Sequence, residues 1–150
     1  MPTLARGFTL LELMVVVAVV ALATAGATLA LRDGSATRLE REGLRLSALL
    51  ESARAQSRTS GVPVVWHLRP DGFEFAGVKP RRDVHSSLAE PRTWLDSETR
   101  AQVTQPTGAQ VLVLGPEPLI AAQRLVLHQG ERQLTLATDG ISPFAVVPTP

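Results

Sequence analysis

The hydrophobic pattern divides the chain into an apolar helical part and a part with alternating residues. Residues 8–31 form one apolar run in which Glu12 is the only ionisable side chain. After a polar interruption at residues 32–35, apolar residues return at helical spacing on a single stripe: Leu39, Gly43, Leu46, Leu50 and Ala53. The pattern predicts a long helix, apolar over 8–31 and amphipathic over 32–61, that ends near Gly61.

The charged residues of the second half of this helix are predicted to face away from the core. They are Arg38, Glu40, Arg41, Glu42, Arg45 and Glu51. Their spacings of three and four allow ion pairs along the helix surface.

The apolar run is long enough to cross a membrane, because a spanning helix needs about 20 residues. A carboxylate at the centre of such a span costs about 2.5 to 3.5 kcal/mol, so Glu12 is predicted to have a partner and a function. Residues 1–7 form a short leader that ends at Gly7. A conventional secretory signal, cleaved in the alanine-rich end of the run, stays open as the alternative.

Alternation of apolar and polar residues predicts antiparallel strands over residues 62–150. In the first hairpin, a four-residue loop at 69–72 places apolar residues opposite each other on one face, Trp66 with Phe75 and Leu68 with Phe73. On the other face it places His67 opposite Glu74. In the second, a loop at 129–132 sets leucines 125 and 127 opposite leucines 134 and 136. The apolar side of the sheet is predicted to lie on the helix.

Alternation fails between residues 79 and 108, which indicates a long, exposed, variable loop. Long loops without regular structure are often functional, so Trp94 is a candidate contact residue at an interface. The alternative, equally open, is that Trp94 packs back into the core.

Composition excludes several classes of function. The net charge of +1 leaves no broad basic surface for nucleic acid, and the chain has no cysteine. The three histidines, His67, His85 and His128, lie far apart without metal-ligand spacing. Adjacent Asp83, His85 and Ser86 do not by themselves make a catalytic triad. We therefore expect no enzyme activity, no metal and no cofactor.

The heptapeptide GFTLLEL, followed by a valine- and alanine-rich run, resembles the N-terminal signature of type IV pilins and type II secretion pseudopilins. The resemblance implies that a prepilin peptidase cleaves between Gly7 and Phe8 and that Phe8 is N-methylated. It also implies that Glu12, the fifth mature residue, pairs with the terminal amine of a neighbouring subunit during assembly.

Two further segments, SALLESARAQSRTSGVPVVWHLRPDGFEF and RLVLHQGERQLTLATDGISPF, resemble the GspH-like minor pseudopilins of the GspH/FimT family. The resemblance implies an α+β, pilin-like fold with a long N-terminal helix on antiparallel sheet. It further implies a single-pass inner-membrane protein with a periplasmic domain, located near the pseudopilus tip. Its partners would be the major pseudopilin, other minor pseudopilins and the inner-membrane assembly platform, and it could also contact the secreted substrates.

A second hypothesis is a FimT-like minor pilin that acts in pilus assembly or DNA uptake. DNA capture needs clustered lysine and arginine, since phosphate contacts dominate affinity. Residues 141–150 contain no basic side chain.

Overall fold

The computed structural model describes residues 9–79 and 88–148, with the backbone alone for helix residues 25–36. Contacts divide the chain into two units, Met1–Ser35 and Ala36–Pro150. Helix α1 spans Leu10–Ser60. Among the described residues, no helix combines the length and the apolar character that a membrane crossing requires.

In the part of the chain that the structure describes, eight strands follow the helix, all in the second unit. They are β1 Val65–Arg69, β2 Gly72–Ala76, β3 Arg92–Thr93, β4 Arg100–Gln105, β5 Val111–Val113, β6 Gln123–Gln129, β7 Arg132–Thr138 and β8 Ala145–Val147. They form two antiparallel sheets in the orders β3-β2-β1-β5 (sheet A) and β4-β6-β7-β8 (sheet B). The predicted α+β arrangement of a helix on antiparallel sheet is confirmed.

The predicted stripe of the second half of α1 faces the core. Leu46, Leu50 and Ala53 are fully buried and Leu39 nearly so. The helix ends at Ser60, and Gly61 adopts a positive φ of 66° while its N–H donates to the Ser57 carbonyl at 2.9 Å. Glycine favours this left-handed conformation at a helix end, which confirms the predicted stop.

The prediction for the charged faces of the helix is wrong at Glu42. Its side chain is only 1% exposed, because its carboxylate accepts hydrogen bonds from the Leu95 N–H at 2.6 Å and from Arg45 at 3.0 Å. Burial of a charge is tolerated where such partners replace water. Spacing along a helix could not show that a loop donor reaches this position.

Both predicted hairpins have the predicted register. In sheet A the pairs are Trp66 with Phe75, His67 with Glu74 and Leu68 with Phe73. In sheet B, leucines 125 and 127 face leucines 136 and 134. The loops are shorter than predicted, at 70–71 and 130–131, because one more pair forms at the end of each hairpin.

The prediction of a structureless stretch from 79 to 108 is wrong for part of its described residues. Strand β3 adds to the edge of β2, and the six residues of β4 pair with β6. The sequence of β4 did not predict a strand, because the residues on its solvent-exposed face are polar and resemble those of a loop. Residues 80–87, which include His85, lie outside the described part of the chain.

One apolar core joins α1 to both sheets. It contains Leu46 and Leu50 from the helix, Trp66 and Phe73 from sheet A and Leu127 from sheet B, among others. Full burial of a large apolar side chain contributes about 1.5 to 3 kcal/mol, so the helix and the hairpins stabilise one another. The predicted packing of the apolar sheet side on the helix is confirmed.

Candidate functional site

The first candidate site is the start of α1, where apolar side chains are exposed in every direction. Large residues between positions 10 and 22 keep from 48% (Val16) to 78% (Leu10) of their surface accessible. A helix that is apolar on all sides is normally covered by protein or lipid. This segment therefore requires a covering that the described residues do not supply.

Thr9 caps this helix. Its hydroxyl accepts a hydrogen bond from the Glu12 N–H at 3.3 Å, and its carbonyl accepts one from the Leu13 N–H at 3.2 Å. Glu12 thus occupies the third helical position, where the positive end of the helix dipole stabilises a carboxylate. The T-x-x-E spacing from Thr9 to Glu12 is the sequence pattern of a capping box, and it marks the position of this cap.

Glu12 lies exposed in the first turn of the helix. Among the side chains that the structure describes, those of residues 9–24, 37–79 and 88–148, none forms an ion pair with its carboxylate. Gly7 and Phe8, the other two residues of the predicted processing site, lie outside the described residues. The structure therefore defines the helical position of Glu12, and the pairing and cleavage remain predictions from the sequence.

Trp94, the candidate contact residue, lies in the core. Its side chain is 6% exposed, and its ring centroid lies 5.0 Å from that of Phe73. The backbone N–H of Trp94 also donates to the backbone carbonyl of Asp71, in the β1–β2 turn, at 3.1 Å. So little accessible surface cannot anchor a partner, which favours the core alternative.

Polar residues of α1 hold the segment that carries Trp94. Arg45 donates to the Thr93 carbonyl at 3.1 Å, and its guanidinium carbon lies 5.7 Å from the Phe73 ring centroid. Glu42 accepts the Leu95 N–H, as described above. These contacts fix residues 93–95 on the helix.

A second set of helix residues holds the turn before β8. Arg54 is 2% exposed and donates to the carbonyls of Pro118, Gly140 and Ser142. Glu51 accepts the Phe144 N–H at 2.9 Å. A planar guanidinium is suited to several carbonyls at once, so Arg54 joins two loops to the helix.

Among the described side chains, two carboxyl groups have clearly shifted pKa values, and both belong to loops. The Glu98 N–H, then Arg38 and Gln129, lower the pKa of Asp96 below its ordinary value of 3.8. The N–H groups of Ser142 and Ile141 lower the pKa of Asp139 in the same way. Such shifts stabilise turns and provide no proton donor or acceptor near neutral pH.

The histidines and carboxylates of the described chain form no metal-binding cluster. No three of its histidines, aspartates and glutamates come close enough to hold a metal ion. His67 lies on β1 of sheet A, whereas His128 lies on β6 of sheet B.

Comparison with known proteins identifies the N-terminal segment. Residues 3–28 match the family model of the prokaryotic N-terminal methylation motif. No curated protein matches the chain in sequence. The matched segment contains Gly7, Phe8 and Glu12, and this motif is typical of prepilins that prepilin peptidase processes.

The fold is similar to that of the type IV minor pilin FimU of Pseudomonas aeruginosa strain PAO1. A crystal structure in space group P21 has a TM-score of 0.55 at 13% identity, covering 76% of this chain and 91% of FimU. A second, in space group P65, has a TM-score of 0.52 at 13% identity, covering 73% and 92%. This chain therefore combines a prepilin-type N-terminal motif with a type IV pilin-like fold.

Proposed function

We propose that this chain is a minor pilin-type subunit, and specifically a minor pseudopilin at or near the tip of a type II secretion pseudopilus. In this role it supports export of folded proteins across the outer membrane. The observation that carries the proposal is the capped, fully apolar start of α1, which bears a single carboxylate within a methylation motif. Such a helix needs to be covered, first by lipid and then by the helices of other subunits.

The proposed sequence of events follows from the two parts of the chain. Residues 1–7 form the cytoplasmic leader, 8–31 the membrane anchor, and 62–150 the periplasmic domain, joined by the amphipathic part of α1. Prepilin peptidase cleaves between Gly7 and Phe8, and Phe8 is methylated. Glu12 then pairs with a terminal amine of a neighbouring subunit, because two desolvated opposite charges attract strongly at short range.

A second candidate is a minor type IV pilin, and the similarity to FimU supports it. The two candidates share processing, the anchor and the helix-to-helix assembly. They differ in the machine they enter: the pseudopilin would contact the major pseudopilin and the secretion platform, whereas the pilin would contact pilus subunits. DNA capture by this chain has no clustered basic surface in residues 141–148 to support it.

N-terminal analysis of the mature protein tests the class. A methylated Phe8 is expected, and a mature chain that starts near residue 31 would show a conventional secretory signal instead. Deletion of the gene then separates the two candidates. Loss of protein secretion with normal surface pili supports the pseudopilin, and the reverse supports the minor pilin.

Glu12→Ala tests the assembly step separately. Processing at Gly7 should be unchanged, while co-purification with other subunits should fall strongly, because the apolar interface loses its charged pair. Glu40→Ala, which removes another exposed carboxylate of the same helix, is the matched control. Normal assembly of the Glu12→Ala chain would refute the pairing.

A further inference from the structure

The edge strands of the two sheets differ in how well they are protected against the addition of another strand. Strand β3 has two residues, and β8 has three and precedes Pro148. Strand β5 has three, and the Gln123 amide occupies the outward N–H and C=O of Val113. Short length, proline and covering are the usual means of protecting an edge from strand addition. Strand β4, with six residues, is the longest edge strand in the described part of the chain.

In the described part of the chain, no strand pairs with the outer edge of β4. Every second residue of an antiparallel strand turns its backbone N–H and C=O away from its neighbour, in this case away from β6. Within residues 9–79 and 88–148, no hydrogen bond reaches the edge groups of residues 100–105. The register is regular from Arg100 to Val103 and shifts before Gln105, so about four residues present a straight edge for pairing.

The β4 side chains that point to the inner face of sheet B are apolar. Ala101 and Val103 pair with Leu127 and Leu125 and face the core. Beside them lies a groove of about 490 Å³, lined also by the apolar side chains of Leu68 and Ala109 and by the polar side chains of Gln102 and Gln110. Leu68 is 43% exposed, so apolar surface remains accessible there. A strand added to β4 would place alternate side chains in this groove, and small apolar residues fit it.

The outer side is polar and lacks negative charge. Strands β4, β6, β7 and β8 contain no aspartate or glutamate. Their outer face carries Arg100, Arg124 and His128, beside a depression of about 620 Å³ lined by threonine and glutamine side chains. No carboxylate of the described residues pairs with Arg124. Acidic side chains on the alternate positions of an added strand would complement this face.

We propose that the free edge of β4 binds an extended segment of another protein, with small apolar residues alternating with acidic ones, by β-strand addition. Backbone hydrogen bonds to β4 supply affinity, and the two unlike faces select the sequence. A second copy of this chain is a poorer occupant, since edge-to-edge pairing would bring two carboxylate-free, arginine-bearing faces together.

A nine-residue peptide of alternating valine and glutamate, labelled for fluorescence anisotropy, tests this with the full-length chain in detergent micelles at low salt. The peptide should bind, and its lysine counterpart should bind at least about tenfold more weakly. Two more peptides are methylated on backbone amide nitrogens, one at every valine and the other at every glutamate, which removes the N–H donor at those positions. Since only alternate N–H groups face β4, one methylated peptide should lose binding and the other retain it. Equal binding of the two would overturn the proposal.

Substitutions locate the site. Arg124→Glu should weaken binding about tenfold, whereas Arg58→Glu, an exposed position on α1, should not. Because the chain has no cysteine, Gln102→Cys offers a single thiol at the edge. It should form a disulfide with a cysteine-bearing peptide, and Thr59→Cys should not. Efficient disulfide dimerisation of the Gln102→Cys chain by itself, without peptide, would identify a second copy as the occupant and refute the proposal.

Discussion

The side-chain amide of Gln123 takes the place of a neighbouring strand for Val113. Its oxygen accepts the Val113 N–H at 2.9 Å, and its nitrogen donates to the Val113 carbonyl at 2.8 Å. Gln123 begins β6, an inner strand of sheet B, and Val113 ends β5, an edge strand of sheet A, so one residue joins the edge of sheet A to sheet B. The amide is 3% exposed, which means that both bonds replace water contacts.

Replacement of this amide should destabilise the fold. Gln123→Leu keeps most of the volume but removes both hydrogen bonds, and the free energy of unfolding should fall by about 1 to 3 kcal/mol. Chemical denaturation measures the loss, and hydrogen exchange should show a faster Val113 amide. Gln133→Leu, on the exposed outer face of the same sheet, serves as control and should change stability by less than about 0.5 kcal/mol. Equal effects of the two substitutions would show that the amide bridge contributes nothing specific.

Arg54 should not tolerate lysine. An ammonium group cannot reach the three carbonyls of Pro118, Gly140 and Ser142 together, so Arg54→Lys should cost about 2 to 4 kcal/mol. The thermal midpoint of the full chain measures this cost. Arg58→Lys changes an exposed arginine one turn further along the same helix, and its midpoint should match that of the unchanged chain. A stable Arg54→Lys protein would mean that water replaces the missing donors.

Asp96 should make stability depend on pH in the acidic range. Its pKa is lowered in the folded chain, so the folded state favours the ionised carboxylate. This contribution is fully present above the ordinary value of 3.8 and is lost as pH falls through the lower, folded pKa. Asp96→Asn should therefore be less stable than the unchanged chain at pH 7, by about 1 kcal/mol or less given the exposure of Arg38. Denaturation curves recorded from pH 7 to pH 2 should converge at the acidic end, and a constant difference would contradict the assignment.

Gly43 should accept alanine but not valine. A Cβ atom there would lie 2.7 Å from Cδ2 of Leu134, the flexible end of a side chain that can move slightly. Alanine recovers up to about 1 kcal/mol of helix propensity, which offsets that contact. Valine adds two branched methyl groups against Leu134 and should cost about 1 to 3 kcal/mol. Denaturation midpoints of both variants test the ordering, and equal stability would show that β7 is free to move away.

Elements with strong local periodicity could be predicted from the sequence. Leucines at helical spacing located the core stripe of α1, and Gly61 located its end. The two hairpins followed from alternation and turn residues, down to the facing of Trp66 and Phe75. A shift of one residue would have turned every apolar side chain to the wrong face, which is why the register was determinable.

Elements that depend on contacts between distant residues could not be predicted. Strand β4 exists because β6 offers it a partner, while its own polar outer positions read as loop. Glu42 and Arg54 are buried because loop backbone groups reach them, and no helical spacing reveals such donors and acceptors. Trp94 lies in the core because it meets the Phe73 ring from β2.

For the candidate sites the same division holds. The sequence by itself determined the motif around Gly7, Phe8 and Glu12, since apolar length and a single carboxylate are local properties of consecutive residues. Only the tertiary structure decided which edge strands have their backbone groups bonded and which do not. The Gln123 amide bonds the outer backbone groups of Val113 in β5, whereas no strand pairs with the outer edge of β4 in the described chain. Edge exposure is a property of how strands are arranged in space, and that arrangement arises from burial and pairing across the whole domain.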